Sequence, residues 1–192
     1  MTIVELRQQI SEFLGFIISE TPVTFETDDI VEQDGYRRLL IRYQSQEEDQ
    51  IPAFLLLPNG DGPFGAVVVY HQHNSQRYFG KSEVCGLVGD PLQAFGPALA
   101  KQNVIVLAPD SICFEDRRRN HFGTEADESG DVAQHFNEMC YRLLRGDTLM
   151  RKVLSDSAQA VSLLLAHDLV DPERVGILVI LMAATPFFSM AL

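Results

Sequence analysis

His71-Gln72-His73 is the segment of this chain richest in usable chemistry. It follows Ala66-Val67-Val68-Val69-Tyr70, an unbroken apolar and β-branched run of the kind that forms a strand buried on both faces. In open α/β sheets ligands bind beyond the carboxyl ends of the strands, so residues just past such a run are placed for function. Three readings of the histidine pair are open. Alternate residues of an extended chain point the same way, so both imidazoles could face one metal ion. Asp110, Asp116 or His121 could then add a ligand, although no spacing selects one. Alternatively, backbone N–H groups of the loop form part of an oxyanion hole and the histidines hold its shape. Or both histidines only hydrogen-bond neighbouring loops. The second reading is adopted as the expectation: His71, Gln72 and His73 form an oxyanion loop, with no metal and no other cofactor.

A second buried run, Asn103-Val104-Ile105-Val106-Leu107-Ala108, leads into Pro109-Asp110-Ser111 and then into a polar excursion over residues 110–137. Long loops inside compact domains are more often functional than idle, which makes Asp110, Asp116 and Arg117 pocket candidates. The run Asp116-Arg117-Arg118-Arg119 is otherwise expected to be a solvated charged face.

These loops need a scaffold. Residues 1–20 read as an amphipathic helix with Ile3, Leu6, Ile10, Phe13 and Leu14 on one face. Tyr36–Tyr43 and Ile51–Leu57 read as hairpin strands joined by the polar residues 44–50, and Pro58-Asn59-Gly60-Asp61-Gly62-Pro63 as a turn. Residues 91–102 fit a helix through Leu92, Phe95 and Leu99. Residues 147–167 form a stronger one, with an apolar stripe of Leu149, Val153, Leu154, Ala158, Val161 and Leu165. Val170–Arg174 reads as a turn and Val175–Ile180 as a third buried strand. This order predicts an α/β protein with a mixed sheet, parallel in its later half.

Three stretches resemble the α/β-hydrolases, in particular the dienelactone hydrolase and acetyl-xylan-esterase-like group. Gly65–His73 resembles that family's strand and oxyanion loop, Phe95–Asp110 its next helix and strand, and Val170–Leu178 the strand entering the nucleophile elbow. The resemblance spans roughly residues 51–178. It implies the N-terminal part of an α/β-hydrolase fold and a serine hydrolase of ester-like bonds in small molecules. The elbow should read Gly-x-Ser-x-Gly, its serine raised above the sheet on a tight turn. Here Leu178 is followed by Val179-Ile180-Leu181-Met182-Ala183-Ala184-Thr185, with neither serine nor glycine.

Moving each codon boundary one base earlier changes that picture. Met182 is ATG and Ala183 begins GC, so the shifted codon between them is GGC, glycine, without choice. Codon degeneracy permits the surrounding residues to read Gly-His-Ser-Tyr-Gly-Gly-Asn-Thr, which places the serine at Leu181. Residues 179–192 are accordingly expected to be a frameshifted tail, with the family nucleophile due at Leu181 and no catalytic triad residue present. In this fold the triad acid and histidine follow the serine in the chain, and His167 precedes it. The chain is therefore expected to be inactive as a triad hydrolase. Two other readings of the tail stay open: a membrane anchor, since Val175–Leu192 carries no charge, and a divergent strand plus helix.

Composition sets the outer limits. The 192 residues suit one domain, and 46% apolar with 22% charged residues permits a real core. Fifteen Lys+Arg against 27 Asp+Glu give a net charge of −12, which disfavours nucleic acid and anionic membrane surfaces as partners. Cys85, Cys113 and Cys140 are scattered and odd in number, and Met1–Arg7 does not open a signal peptide, so free thiols in the cytoplasm are expected. Nothing in the sequence sets the oligomeric state or names the ester. Two further function classes stay open: a metal-dependent hydrolase or metal-binding protein using His71 and His73, and, from the tail, a C-terminally anchored interaction protein.

Overall fold

A computed structural model describes residues 2–15, 23–73 and 76–180. The described chain builds a six-stranded sheet in the order β1-β2-β3-β5-β4-β6. The strands are β1 (Phe25–Gln33), β2 (Tyr36–Gln44), β3 (Gln50–Pro58), β4 (Phe64–Tyr70), β5 (Val104–Pro109) and β6 (Val170–Val179). β1, β2, β3 and β5 pair antiparallel in turn, whereas β5, β4 and β6 run parallel. The mixed sheet with a parallel later half is therefore as the sequence implies.

The central strands are apolar because both faces are covered. On one face Leu55, Val68, Ile105 and Leu107 pack with Ala160, Leu163 and Leu164 of α5 (Leu149–Leu165). On the other, Leu56, Val69, Val106 and Ala108 pack with Val84 and Cys85 at α2 (Lys81–Val84) and with Ala100 of α3 (Phe95–Ala100). Thr148 caps α5, its hydroxyl accepting the N–H of Arg151.

Several boundaries differ from the sequence reading, each for a physical reason. β1 was not foreseen, because FETDDIVEQ is acidic and exposed along most of its length. The two-residue Asp34-Gly35 connection creates it: Gly35 takes φ +87°, as tight hairpins require, and folds the chain back onto β2. The expected helix over residues 91–102 is a short 3₁₀ turn at Pro91–Gln93 followed by α3, and Leu92 is left exposed. The turn expected at Val170–Arg174 is a bulge inside β6, between the partners of Phe64 and Ala66 on β4. The excursion over 110–137 is not all loop: α4 (Glu128–Leu144) begins within it, capped by Asp127, and packs on α5. The N-terminal helix α1 spans Ile3–Leu14 and ends at Gly15, and its apolar residues Ile3, Leu6, Ile10 and Phe13 remain exposed. Residues 16–20 of that expected helix lie outside the described residues, as do residues 181–192 of the tail. Among the described residues no helix is long and apolar enough to cross a membrane.

Candidate functional site

β4, β5 and β6 end along one edge of the sheet, and the loops that leave them meet there. Tyr70 of β4 is in register with Val179 of β6, and the N–H of Ile180 donates to the Tyr70 carbonyl at 3.0 Å. β6 thus delivers the chain, at Ile180, to the start of the His71–His73 loop. The nucleophile position expected at Leu181 is the next residue, outside the described residues.

His71 is buried and fixes this edge. The Ser111 N–H donates to its Nε2 at 3.1 Å. A backbone N–H can only donate, so Nε2 is an acceptor and the ring proton sits on Nδ1, which faces the Gln72 carbonyl at 2.9 Å. Both ring nitrogens are therefore occupied within the fold, which leaves neither to ligate a metal. His73 stacks on His71 with centroids 5.4 Å apart and lies against Phe114 at 4.8 Å. Its Nε2 is 3.2 Å from the Ser111 hydroxyl.

Burial holds His71 in its neutral form, with its pKa down at about 3, and the neighbouring His73 and Lys81 oppose protonation further. His73 and His135 are lowered in the same direction, first by burial and then by the Arg77 charge. The unfolded chain binds these protons near pH 6.5 and the folded chain does not, so the histidine contribution is complete above pH 6.5 and lost as pH falls toward 3. Asp110, whose pKa burial and Glu115 raise to about 7, works in the opposite sense over the same range. A His71→Gln chain should therefore lose one proton's share of the pH dependence. Between pH 4 and 6 its unfolding free energy, measured by urea titration, should rise less steeply than the parent's, by about 1.4 kcal/mol per pH unit. An unchanged slope would show that His71 does not titrate in this way.

The loop after β5 is held by ions the sequence did not single out. Lys81 is buried, and its ammonium contacts Asp110 at 2.9 Å, Glu115 at 2.5 Å and Asp116 at 2.6 Å. Burial alone would lower the Lys81 pKa, but these carboxylates override it and keep the ammonium charged. The same acids cap α2. Asp110 accepts the Lys81 N–H, while Glu115 accepts the N–H groups of Gly80 and Ser82 and the Ser82 hydroxyl. A side chain at Gly80 would collide with Asp110, so only glycine brings α2 this close. Cys113 and Glu115 adopt positive φ (68° and 41°), which turns the Phe114 ring onto the two histidines and the Glu115 carboxylate under α2. Asp110, Glu115 and Asp116 have the convergence of a metal site, but the Lys81 ammonium stands where a cation would.

The run at residues 116–119 is the solvated face expected of it only at Arg119, which is exposed, and in part at Asp116. Arg117 is buried, donates to the Asp110 carbonyl and pairs with Asp49 at 2.6 Å and Asp156 at 2.9 Å. Arg118 is buried against Asp131 and the carbonyls of Gly123 and Glu125. The pocket candidates Asp110, Asp116 and Arg117 are thus brought to one place, where each is engaged by internal partners; Asp116 keeps a third of its side-chain surface open (36%). His121 pairs instead with Glu125 at 3.3 Å. An open cleft of about 560 Å³ lies beside these loops, lined by Asp49, Ile112, Arg119, Tyr141, Arg142 and Lys152 among others.

The comparisons bear on this arrangement of strands and loops. No family model matches the chain. YtaP of Bacillus subtilis (strain 168), provisionally named a hydrolase, is 28% identical over 174 residues, which is 90% of this chain and 54% of YtaP. A provisionally named acetyl xylan esterase from Bacteroides fragilis superposes with a TM-score of 0.71 at 15% identity, over 91% of this chain and 45% of its own. Acetyl xylan esterase 1 from Thermoanaerobacterium sp. JW/SL YS485 gives 0.55 at 15% identity, over 93% of this chain and 55% of its own.

The chain has an α/β-hydrolase fold. It spans about half the length of these relatives, and the six strands of its described residues make an incomplete version of the fold. In an α/β-hydrolase fold the nucleophile stands on the turn after a parallel strand, and part of the oxyanion hole comes from a loop after an earlier strand. Here β6 runs parallel beside β4, and its end meets the start of the loop that leaves β4.

Proposed function

We propose that this chain derives from a serine hydrolase of carboxylic esters of small molecules, and that the sequence as written does not perform that reaction. The observation that carries the proposal is the hydrogen bond from Ile180 N–H to the Tyr70 carbonyl. It brings the end of β6, at Ile180, to the start of the His71–His73 loop, and the residue that follows Ile180 in the sequence is where the neighbouring reading frame permits the elbow serine.

In such an enzyme the serine hydroxyl attacks the ester carbonyl, a histidine takes its proton, and a carboxylate orients that histidine. The negative oxygen is held by the N–H after the serine and by an N–H of the Gln72–His73 region. His71 serves as the strut of that hole, tied to Gln72 on one side and Ser111 on the other. With leucine at residue 181 the covalent route has no nucleophile there. The charged cleft on the same edge is the proposed place for the rest of the substrate. The metal-dependent alternative is disfavoured by the two occupied nitrogens of His71.

The nucleotide sequence over codons 178–185 is the test. Codons that permit Gly-x-Ser-x-Gly one base earlier are expected. Any codon set that excludes it sinks the frameshift. A gene with the single base restored should yield a product that a fluorophosphonate labels at the serine replacing Leu181.

A further inference from the structure

We propose that Ser111 and His73 form a second, self-sufficient nucleophile–base pair that makes the chain, as it stands, a slow acyl acceptor for small activated aryl esters. The pair does not use residue 181, so it stands apart from the function proposed above.

The arrangement of the two side chains carries it. The Ser111 hydroxyl and His73 Nε2 are 3.2 Å apart, within the range over which a histidine takes a proton from a serine. Both groups are seated by buried His71, the Ser111 backbone through its bond to the ring and the His73 ring through its stack, which Phe114 completes. His71 cannot compete as the base, because its Nε2 already accepts the Ser111 N–H. Reagents can reach the pair, since His73 is exposed and Ser111 is half-buried at the carboxyl end of β5. Although the residue is exposed, desolvation of its stacked ring, and then the Arg77 charge, lower the His73 pKa and so favour the unprotonated form a base requires. The Phe114 ring that seats His73 also seats the Arg77 guanidinium, 5.7 Å from its centroid, so a positive charge stands near the pair.

The chemistry balances without a cofactor. Ser111 Oγ bonds to the acyl carbon and its proton passes to His73 Nε2. The bond from that carbon to the aryloxide then breaks, and the aryloxide takes the proton. Water, deprotonated by His73, hydrolyses the acyl-serine to the carboxylic acid and restores both groups.

The experiment is fluorophosphonate labelling of the purified 192-residue chain, with the modified residue mapped by mass spectrometry, alongside p-nitrophenyl acetate turnover. Labelling at Ser111 is expected, with the rate lowered about 100-fold in His73→Gln, abolished in Ser111→Ala and unchanged in Ser129→Ala, an exposed serine elsewhere. The rate should follow neutral His73, with its acid limb below pH 6.5. A Ser111→Cys chain provides a reading free of the hydroxyl: iodoacetamide should alkylate the new thiol ahead of Cys85, Cys113 and Cys140, and more slowly once His73 is Gln. Labelling at another residue, or at Ser111 with an equal rate in His73→Gln, overturns the proposal.

Discussion

Replacing Lys81 by methionine should cost about 3–5 kcal/mol of folding stability, the usual penalty for removing one partner of a buried ion pair. Methionine keeps most of the volume and removes the charge. Asp110 and Glu115 would then face each other, and the more open Asp116, with nothing between them. Urea denaturation of the parent and Lys81→Met chains should show the loss as a shift of the midpoint at unchanged slope. In a chain of this size the melting temperature should fall by about 6–20 °C. A triple variant separates charge from packing. Adding Asp110→Asn and Glu115→Gln to Lys81→Met removes the uncompensated carboxylates and should recover much of the loss. If Lys81→Met is no less stable than the parent, the ammonium is not what holds the loops together.

Arg118→Met should be comparably destabilising, but its effect should be read in a different place. The Arg118 guanidinium bonds both oxygens of Asp131 at 2.8 and 2.9 Å, and also the carbonyls of Gly123, at 3.0 Å, and Glu125, at 2.8 Å. It therefore joins the excursion after β5 to the first turn of α4. Without it, Asp131 is a fully buried carboxylate whose remaining partners are the Asn120 amide and the Asp127 N–H, again a loss of about 3–5 kcal/mol. Hydrogen exchange should locate the damage: amides of residues 119–131 should lose protection first, while β3, β4 and β5 keep theirs until global unfolding. Uniform loss of protection across the sheet would count against this local role.

The parts legible from sequence were those governed by burial. The runs at residues 66–70 and 103–108 announce central strands because a strand covered on both faces admits almost only apolar residues. The stripe of α5 announces a helix because its period matches one buried face. β1 was hidden because its composition is that of a loop, and its one clear signal, Asp34-Gly35, is two residues long. The site was half legible. His71 and His73 stood out by type and by position after a buried strand. Lys81, Glu115 and Arg118 did not, because a charge run looks the same in water as in an ion network until the partners are known. Those partners are distant in sequence: Glu115 lies 34 residues from Lys81, and Asp49 lies 68 from Arg117. Ser111 was quoted only as a strand's trailing residue, since nothing in its neighbourhood marks a nucleophile.

The two ends of the sheet differ in how many neighbours they can accept. At one end β1 presents Glu26, Asp28, Asp29 and Glu32, so a second copy approaching there meets charges like its own. At the other end of the described sheet β6 carries no charge from Val175 onward and exposes Ile177 and Val179. Strand addition is thereby disfavoured at the β1 end of the described sheet. The acidic hairpin that is hardest to find in the sequence is thus what guards that edge against pairing with another chain.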